Sequence, residues 1–400
     1  MKARCITFAL LLYACSSLAA LDFGATISLQ DSITDQYNTF YFSVNPWFSL
    51  GLNEKFQVYA SGSVALKHQD GDLLKPGVWF DFTRTEAVIR PIQGLSIAIG
   101  RTPFSDTLNL AASGLYDGVL GSLDLGVGRL GVGFFYTGLL YKKTAEIVMS
   151  AEDMADYVAP WDWDDFGKSY FASRRLLGGL HWDMPIIRSV QDSLSFDLLL
   201  NFDVNGDHKN TLNSQYLEAG YFLQPIPYFG MQLGGIFEMI EDEFAEKDLQ
   251  VALGWATEFF FYFPLVFPNR LALGFRGFTG AVNDTLVAFN PVKGQALGQV
   301  FEYYDSLAAI SQSYDARIIN SLACSAAFRY FLRTDDTAYG GTDADARALG
   351  GEIYASLYWS PLDDLAASVG GGVFIPAMGN VYDSGTDPSW KVSFGLTLSF

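Results

Sequence analysis

Outside its first twenty residues this 400-residue chain holds three histidines, one cysteine and no G-x-S-x-G elbow with which to do nucleophilic or metal chemistry. His68, His181 and His208 stand apart, with no Cys or His at ligand spacing, so each reads as a solvated strand-end or loop residue. Gly126-Val127-Gly128-Arg129-Leu130-Gly131 spells G-x-G-x-x-G. A dinucleotide site, however, needs a strand before that motif and a helix after it, so that phosphate meets the helix N-terminus. Here both flanks are strand-like, which makes the motif a glycine-rich hairpin. Asp335, Asp336, Asp343 and Asp345 gather carboxylates, but their spacing and glycine placement match no calcium loop, and a solvated acidic face is expected. Trp161 and Trp163, set among Asp162, Asp164 and Asp165, form a loop stretch suited to ligand contact. No catalytic residue, metal or cofactor is expected.

The charged residues that remain sit in segments of alternating character. Leu194, Phe196, Leu198, Leu200 and Phe202 oppose Ser195, Asp197, Asn201 and Asp203, and Val251, Leu253 and Trp255 oppose Ala252, Gly254 and Ala256. Such period-two patterns over about ten residues are strands long enough to cross a bilayer when tilted. By parity Asp197, Asp203, Glu218, Glu238, Glu258, Arg276, Arg329 and Arg333 share the polar faces. A charge facing hydrocarbon costs several kcal/mol, so these residues are expected to line a wet interior. Arg84, Glu86 and Arg101 break the parity of their strands; a bulge or a place near the water boundary explains that.

Composition agrees. Half the residues are apolar and 16% aromatic, while only 17% are charged, against a usual share of about 25%. After the first twenty residues no apolar run reaches the roughly 20 residues of a helical span. The formal charge of −19 argues against nucleic-acid binding and implies a field that attracts cations. Residues 1–20 carry Lys2 and Arg4, an apolar core from Ile6 to Ala14, then Ser-Leu-Ala-Ala, which reads as a signal peptide ahead of a single domain over 21–400. A lipoprotein box ending at Cys15 is the competing reading of the same stretch.

The last strand, Trp390 to Phe400, alternates without exception: Val392, Phe394, Leu396, Leu398 and Phe400 on one face, Lys391, Ser393, Gly395, Thr397 and Ser399 on the other. It resembles the closing strand of bacterial outer-membrane β-barrels, in which a terminal Phe serves as the assembly signal; here that role falls to Phe394, Leu396, Leu398 and Phe400. Short turns alternate with long acidic loops at 142–169, 281–316 and 377–389, the layout of such barrels. Thirteen strands are legible to about Gly280 and four more from 318 onward. Even parity asks for one more, and Ala296 to Tyr304 is the best candidate. The expected fold is therefore all-β, a transmembrane antiparallel β-barrel of 18 strands, with 16 as the alternative.

From Glu86-Ala87-Val88-Ile89 through LSIAIGR to Arg101, and on to Tyr116-Asp117-Gly118-Val119, the chain also resembles Gram-negative porins of the alginate-export or phosphate-porin type, with a spirochaete-like texture. That resemblance implies that Arg101 faces the pore and that residues 102–115 form a loop near or in the channel. The expected function is passive diffusion of small hydrophilic solutes through a water-filled channel in the outer membrane, biased toward cations or neutral solutes. The rival is a barrel whose long acidic loops bind a ligand. Expected partners are outer-membrane lipid or lipoglycan, the barrel assembly machinery and the solutes, with room for a homo-oligomer and none for nucleic acid.

Overall fold

The computed structural model describes residues 20–70, 72–187, 189–243, 247–282, 286–336, 346–383 and 385–400. All but Ala20 of the expected leader, together with Cys15, Asp343 and Asp345, lies outside them.

Eighteen antiparallel strands form one closed sheet in which each strand pairs with its sequence neighbours. The first group is β1 (Ala20–Thr34), β2 (Asn38–Asn53), β3 (Phe56–Gln69), β4 (Asp72–Ile89), β5 (Leu95–Ser105), β6 (Ser113–Asp124), β7 (Arg129–Tyr136), β8 (Arg175–Met184) and β9 (Gln191–Asp203). The second is β10 (Leu212–Ile226), β11 (Phe229–Asp242), β12 (Lys247–Phe261), β13 (Asn269–Phe278), β14 (Leu307–Ile319), β15 (Leu322–Arg333), β16 (Ala348–Leu362), β17 (Leu365–Ile375) and β18 (Ser389–Ser399). The connection from β7 to β8 holds three short helices: α1 (Lys142–Ala145), α2 (Ala151–Val158) and α3 (Phe166–Tyr170).

The count of 18 agrees with the sequence, but one strand lies elsewhere than expected. Leu307–Ile319, not 296–304, is the strand that completes the set. Gln312 is exposed opposite Phe328, so a polar residue interrupts the apolar face of β14 and hides its alternation. The glycine-rich motif is a hairpin: Leu125 N–H donates to Gly128 O between β6 and β7 (2.9 Å).

Closure falls to β1 and β18, paired from Thr26↔Ser399 to Thr34↔Lys391. Phe400 N–H donates to Ala25 O (3.0 Å), and Ala25 N–H returns the bond to Phe400 O (2.8 Å). A Cβ on Gly24 would strike Phe400 O and the Trp47 ring, so glycine is required at this junction. Phe394, Leu396, Leu398 and Phe400 project outward and exposed into the belt that also carries Phe23 and Phe48. A closed barrel with an apolar outer band satisfies its backbone internally, which is what hydrocarbon demands.

Against strands β6 to β17 the interior is packed rather than open. Loop residues Leu108, Leu110, Leu140, Ile147, Phe289, Val292, Leu297 and Phe301 are buried against inward strand residues Tyr116, Phe135, Tyr216, Phe278, Phe331 and Phe374. The loops that the sequence places outside fold back into the barrel and build a core there.

Candidate channel interior

Residues 106–112 connect β5 to β6 inside the barrel and are held there by carboxylates. Asp106 Oδ2 accepts from Leu110 N–H (2.7 Å), and its Oδ1 accepts from Ala111 and Ala112 (3.2 and 2.6 Å). Asp197 on β9 accepts from Thr107 N–H (3.2 Å) and Oγ1–H (2.5 Å), and its other oxygen meets His181 Nδ1 (2.7 Å). Glu218 on β10 accepts from Leu108 N–H (2.8 Å), while Arg276 on β13 donates to Asn109 O. Two acids and an arginine expected to line water thus hold a loop instead.

The β13–β14 connection is fixed in the same way. Glu238 accepts from Asn290 N–H (2.8 Å), and Tyr216 donates to Asn290 O (2.6 Å). Glu352 on β16 accepts from three successive amides, Gln299, Val300 and Phe301 (2.9, 2.8 and 2.9 Å), and from Arg329 Nη1 (3.0 Å). Irregular backbone inside a barrel must find partners there, and the inward carboxyl oxygens supply the acceptors.

The parity of the inward acids was legible, but their expected exposure to water is corrected. Asp197, Glu218 and Glu238 are buried beneath loops, at 6%, 1% and 0% exposure. Asp203 and Arg333 are enclosed too; Arg333 donates to Asp335 (2.8 Å) and to Ala346 O (3.3 Å). Of the set, Glu258 and, to a lesser degree, Arg329 and Arg276 reach open space. Glu258 pairs with Arg270, which lies 4.0 Å from Asp315. Asp106 and Glu352 were missed. Glu352 does fall on the polar face of β16 with Tyr354 and Ser356, so parity alone could have found it.

His208 is likewise not the solvated residue expected. In the turn after β9 its Nδ1 lies 3.2 Å from Asp203 Oδ2 and its Nε2 lies 3.3 Å from Asp156 Oδ2 on α2. Asp153, Asp203 and His208 lie close enough to ligate one ion. Arg175, fully buried, already pairs with Asp153 and sits 3.6 Å from Asp203, so a guanidinium and an imidazole offset two carboxylates. Burial pulls the His208 pKa down, but hydrogen bonds to Asp203 and Asp156 outweigh it and raise the value above the ordinary 6.5.

The parity breaks have a structural cause. Gly62 pairs with Phe82 and Ala60 with Thr85, so Thr83 and Arg84 together oppose Ser61 in a bulge. Past it, Glu86 turns inward, buried and bonded to Arg84. Arg101 does not face open water. It is buried between β4 and β6, donating to Asp81 (3.0 Å), Asp117 (2.9 and 2.8 Å), Phe82 O and Leu139 O (2.9 Å).

Away from these loops, polar rows run across β18, β1 and β2. Ser399, Thr26 and Asn45 form one row, Thr397, Ser28 and Ser43 the next, then Gly395, Gln30, Tyr41 and Lys67. Near the long-loop end a cavity of about 530 Å³ opens between this wall and α1, lined by Gln30, Tyr41, Lys67, Trp79, Tyr141 and Lys143.

No protein-family model and no curated protein matches the chain. Among solved structures it is similar to the outer membrane protein OprD from Pseudomonas aeruginosa (TM-score 0.62, 12% identity, covering 95% of this chain and 94% of that one). It is also similar to OccK5 (OpdH) of the same organism (0.61, 11%, 96% and 98%) and to its OccD3 (OpdP) (0.60, 11%, 95% and 91%). The chain has the fold of an outer-membrane β-barrel. At such low identity the likeness extends to the fold, and the alginate-export or phosphate-porin type and a spirochaetal source stay at the level of expectation.

Proposed function

We propose that the chain is a porin, a passive diffusion channel for small hydrophilic solutes in the bacterial outer membrane. The observation that carries this reading is the division of the lumen: inward loops packed against β6 to β17, and rows of serine, threonine, asparagine and glutamine across β18, β1 and β2. Hydroxyl and amide groups exchange readily with the hydration of a neutral polar solute, and loops that narrow the passage set its size limit. No step of this reading needs a catalytic group.

A bias toward cations or neutral solutes fits with a smaller charge contribution than the composition suggests. Asp197, Glu218, Glu238 and Glu352 bind backbone amides, while Glu258, Asp315, Glu302 and Glu146 are among the water-accessible acids. Lys67, Arg84, Arg329 and Lys391 stand among them. Neutral solutes are favoured, with weak cation preference. Several of the loops that a ligand-displaying barrel would present outward are folded into the lumen here, so that rival loses its main support.

Planar-bilayer recording of refolded, heat-modifiable protein tests the proposal. Stepwise conductance on the order of a nanosiemens, with a reversal potential close to zero and slightly cationic, is expected. Silence from correctly folded barrels overturns it.

A further inference from the structure

The wall has a seam between β4 and β5. β4 pairs with β5 only from Thr85↔Arg101 to Ile89↔Ile97, although β4 begins at Asp72 and β5 continues to Ser105. Among the described residues, 72–84 have a sheet neighbour on the β3 side alone. Pro76 and Pro103 fall in these unpaired stretches, as prolines do at strand edges. An open edge at bilayer depth leaves amides and carbonyls without partners, at several kcal/mol each.

What covers the edge comes from Arg101 of β5 and from the β7–β8 connection. Arg101 donates to Phe82 O, and Tyr170 Oη–H donates to Phe80 O (2.5 Å). Tyr170 ends an aromatic run: Phe166 stacks on it at 4.9 Å, Trp163 stacks on Phe166 at 6.4 Å, and Trp161 meets both edge-on. Phe80 lies eight residues along β4 from Asp72. At about 3.3 Å per residue and a tilt near 45°, it sits roughly 20 Å below the rim. Behind the seam lies a cavity of about 230 Å³ lined by Asp81, Phe82, Arg101, Leu140, Tyr141 and Lys293.

We propose that residues 161–171 form an aromatic wedge that contacts outer-leaflet lipid and completes the wall between β4 and β5. Trp163 and Phe166 are 75% and 41% exposed, and Tyr170, on which Phe166 stacks, bonds to β4 at Phe80 O, where the outward Val78, Phe80 and Phe82 are 56%, 46% and 58% exposed. The aromatic run is thereby tied to the strand that carries this part of the apolar outer band, and Trp and Tyr are the residues that favour the membrane interface. Asp162, Asp164 and Asp165 are exposed on the same segment, and a second copy docked there would bring like charges together.

The test is depth-dependent quenching in phospholipid vesicles. Trp163→Cys and Phe166→Cys, each in a Cys324→Ser background, are labelled with an environment-sensitive fluorophore, and folded barrels are selected by heat-modifiable mobility. The expected result is blue-shifted emission that loses at least half its intensity to acyl-chain doxyl lipid and little to iodide. Iodide quenching without doxyl quenching places the segment in water and overturns the proposal. Shielding from both quenchers that grows with protein-to-lipid ratio indicates a second copy and overturns it equally. Having two sites keeps the test intact should one variant fail to fold.

Discussion

Arg101 grips Asp117 as a two-point fork, Nε to Oδ1 at 2.9 Å and Nη2 to Oδ2 at 2.8 Å, while its Nη1 spans the seam to Asp81 at 3.0 Å. One guanidinium thus joins three elements of the wall at the place where strand pairing stops. Removing it leaves two carboxylates and the Phe82 carbonyl uncompensated. Arg101→Ala is expected to destabilise the barrel by about 3–5 kcal/mol. Arg101→Lys should recover little, because a point charge cannot fork. Urea unfolding in vesicles checks this; equal stability of Arg101→Lys and the parent would refute the bridging role.

Glu352 gathers three loop amides and Arg329 at once. Glu352→Ala should free residues 299–301 at a cost on the order of 3 kcal/mol. Single-channel conductance should then rise and grow noisy, with Glu352→Gln intermediate. Quiet, unchanged conductance would show that this loop does not border the passage.

Selectivity should follow accessibility and not acid count. Neutralising Glu258 and Asp315 is expected to move the reversal potential toward anions, whereas Glu218→Gln and Glu238→Gln should leave it nearly unchanged. If the buried pair moves it more, ions pass on the loop-filled side.

The His208 cluster makes stability depend on pH. Its folded-state pKa is raised, so its contribution is complete below 6.5 and fades as pH climbs through the folded value. Glu152, Asp153 and Asp156 from the α2 side, Asp203 at the end of β9 and Arg175 on β8 surround it. Unfolding midpoints should fall from mildly acid to alkaline conditions, and His208→Gln should flatten the profile. A parent profile already flat over that range contradicts the charged latch.

Closure depends on Gly24, whose missing side chain admits Phe400 O. Gly24→Val is expected to lower the yield of the heat-modifiable species sharply while leaving the unfolded chain intact on gels. Undiminished assembly would mean that β1 shifts to accommodate the branch.

The strands were legible because lipid outside and polar groups inside impose a two-residue rhythm that β1, β2, β9 and β18 follow closely. β14 escaped because exposed Gln312 breaks that rhythm. The direction of Asp197 and Glu218 was legible for the same reason, but their surroundings were not. Whether an inward carboxylate meets water or Leu108 N–H depends on where a loop more than a hundred residues away in sequence comes to rest. Alternation carries no information about that. Pro76 and Pro103, neither of which can donate to a neighbouring strand, were a signal of the seam that alternation does not reveal.

The off-centre division of the lumen separates two jobs that a simple cylinder would combine. In the channel proposed above, a travelling molecule would have a stiff, hydrogen-bonded hoop on one flank and pinned, independently editable coils on the other. Insertions or deletions in those coils can retune the calibre of the passage while the hoop stays shut.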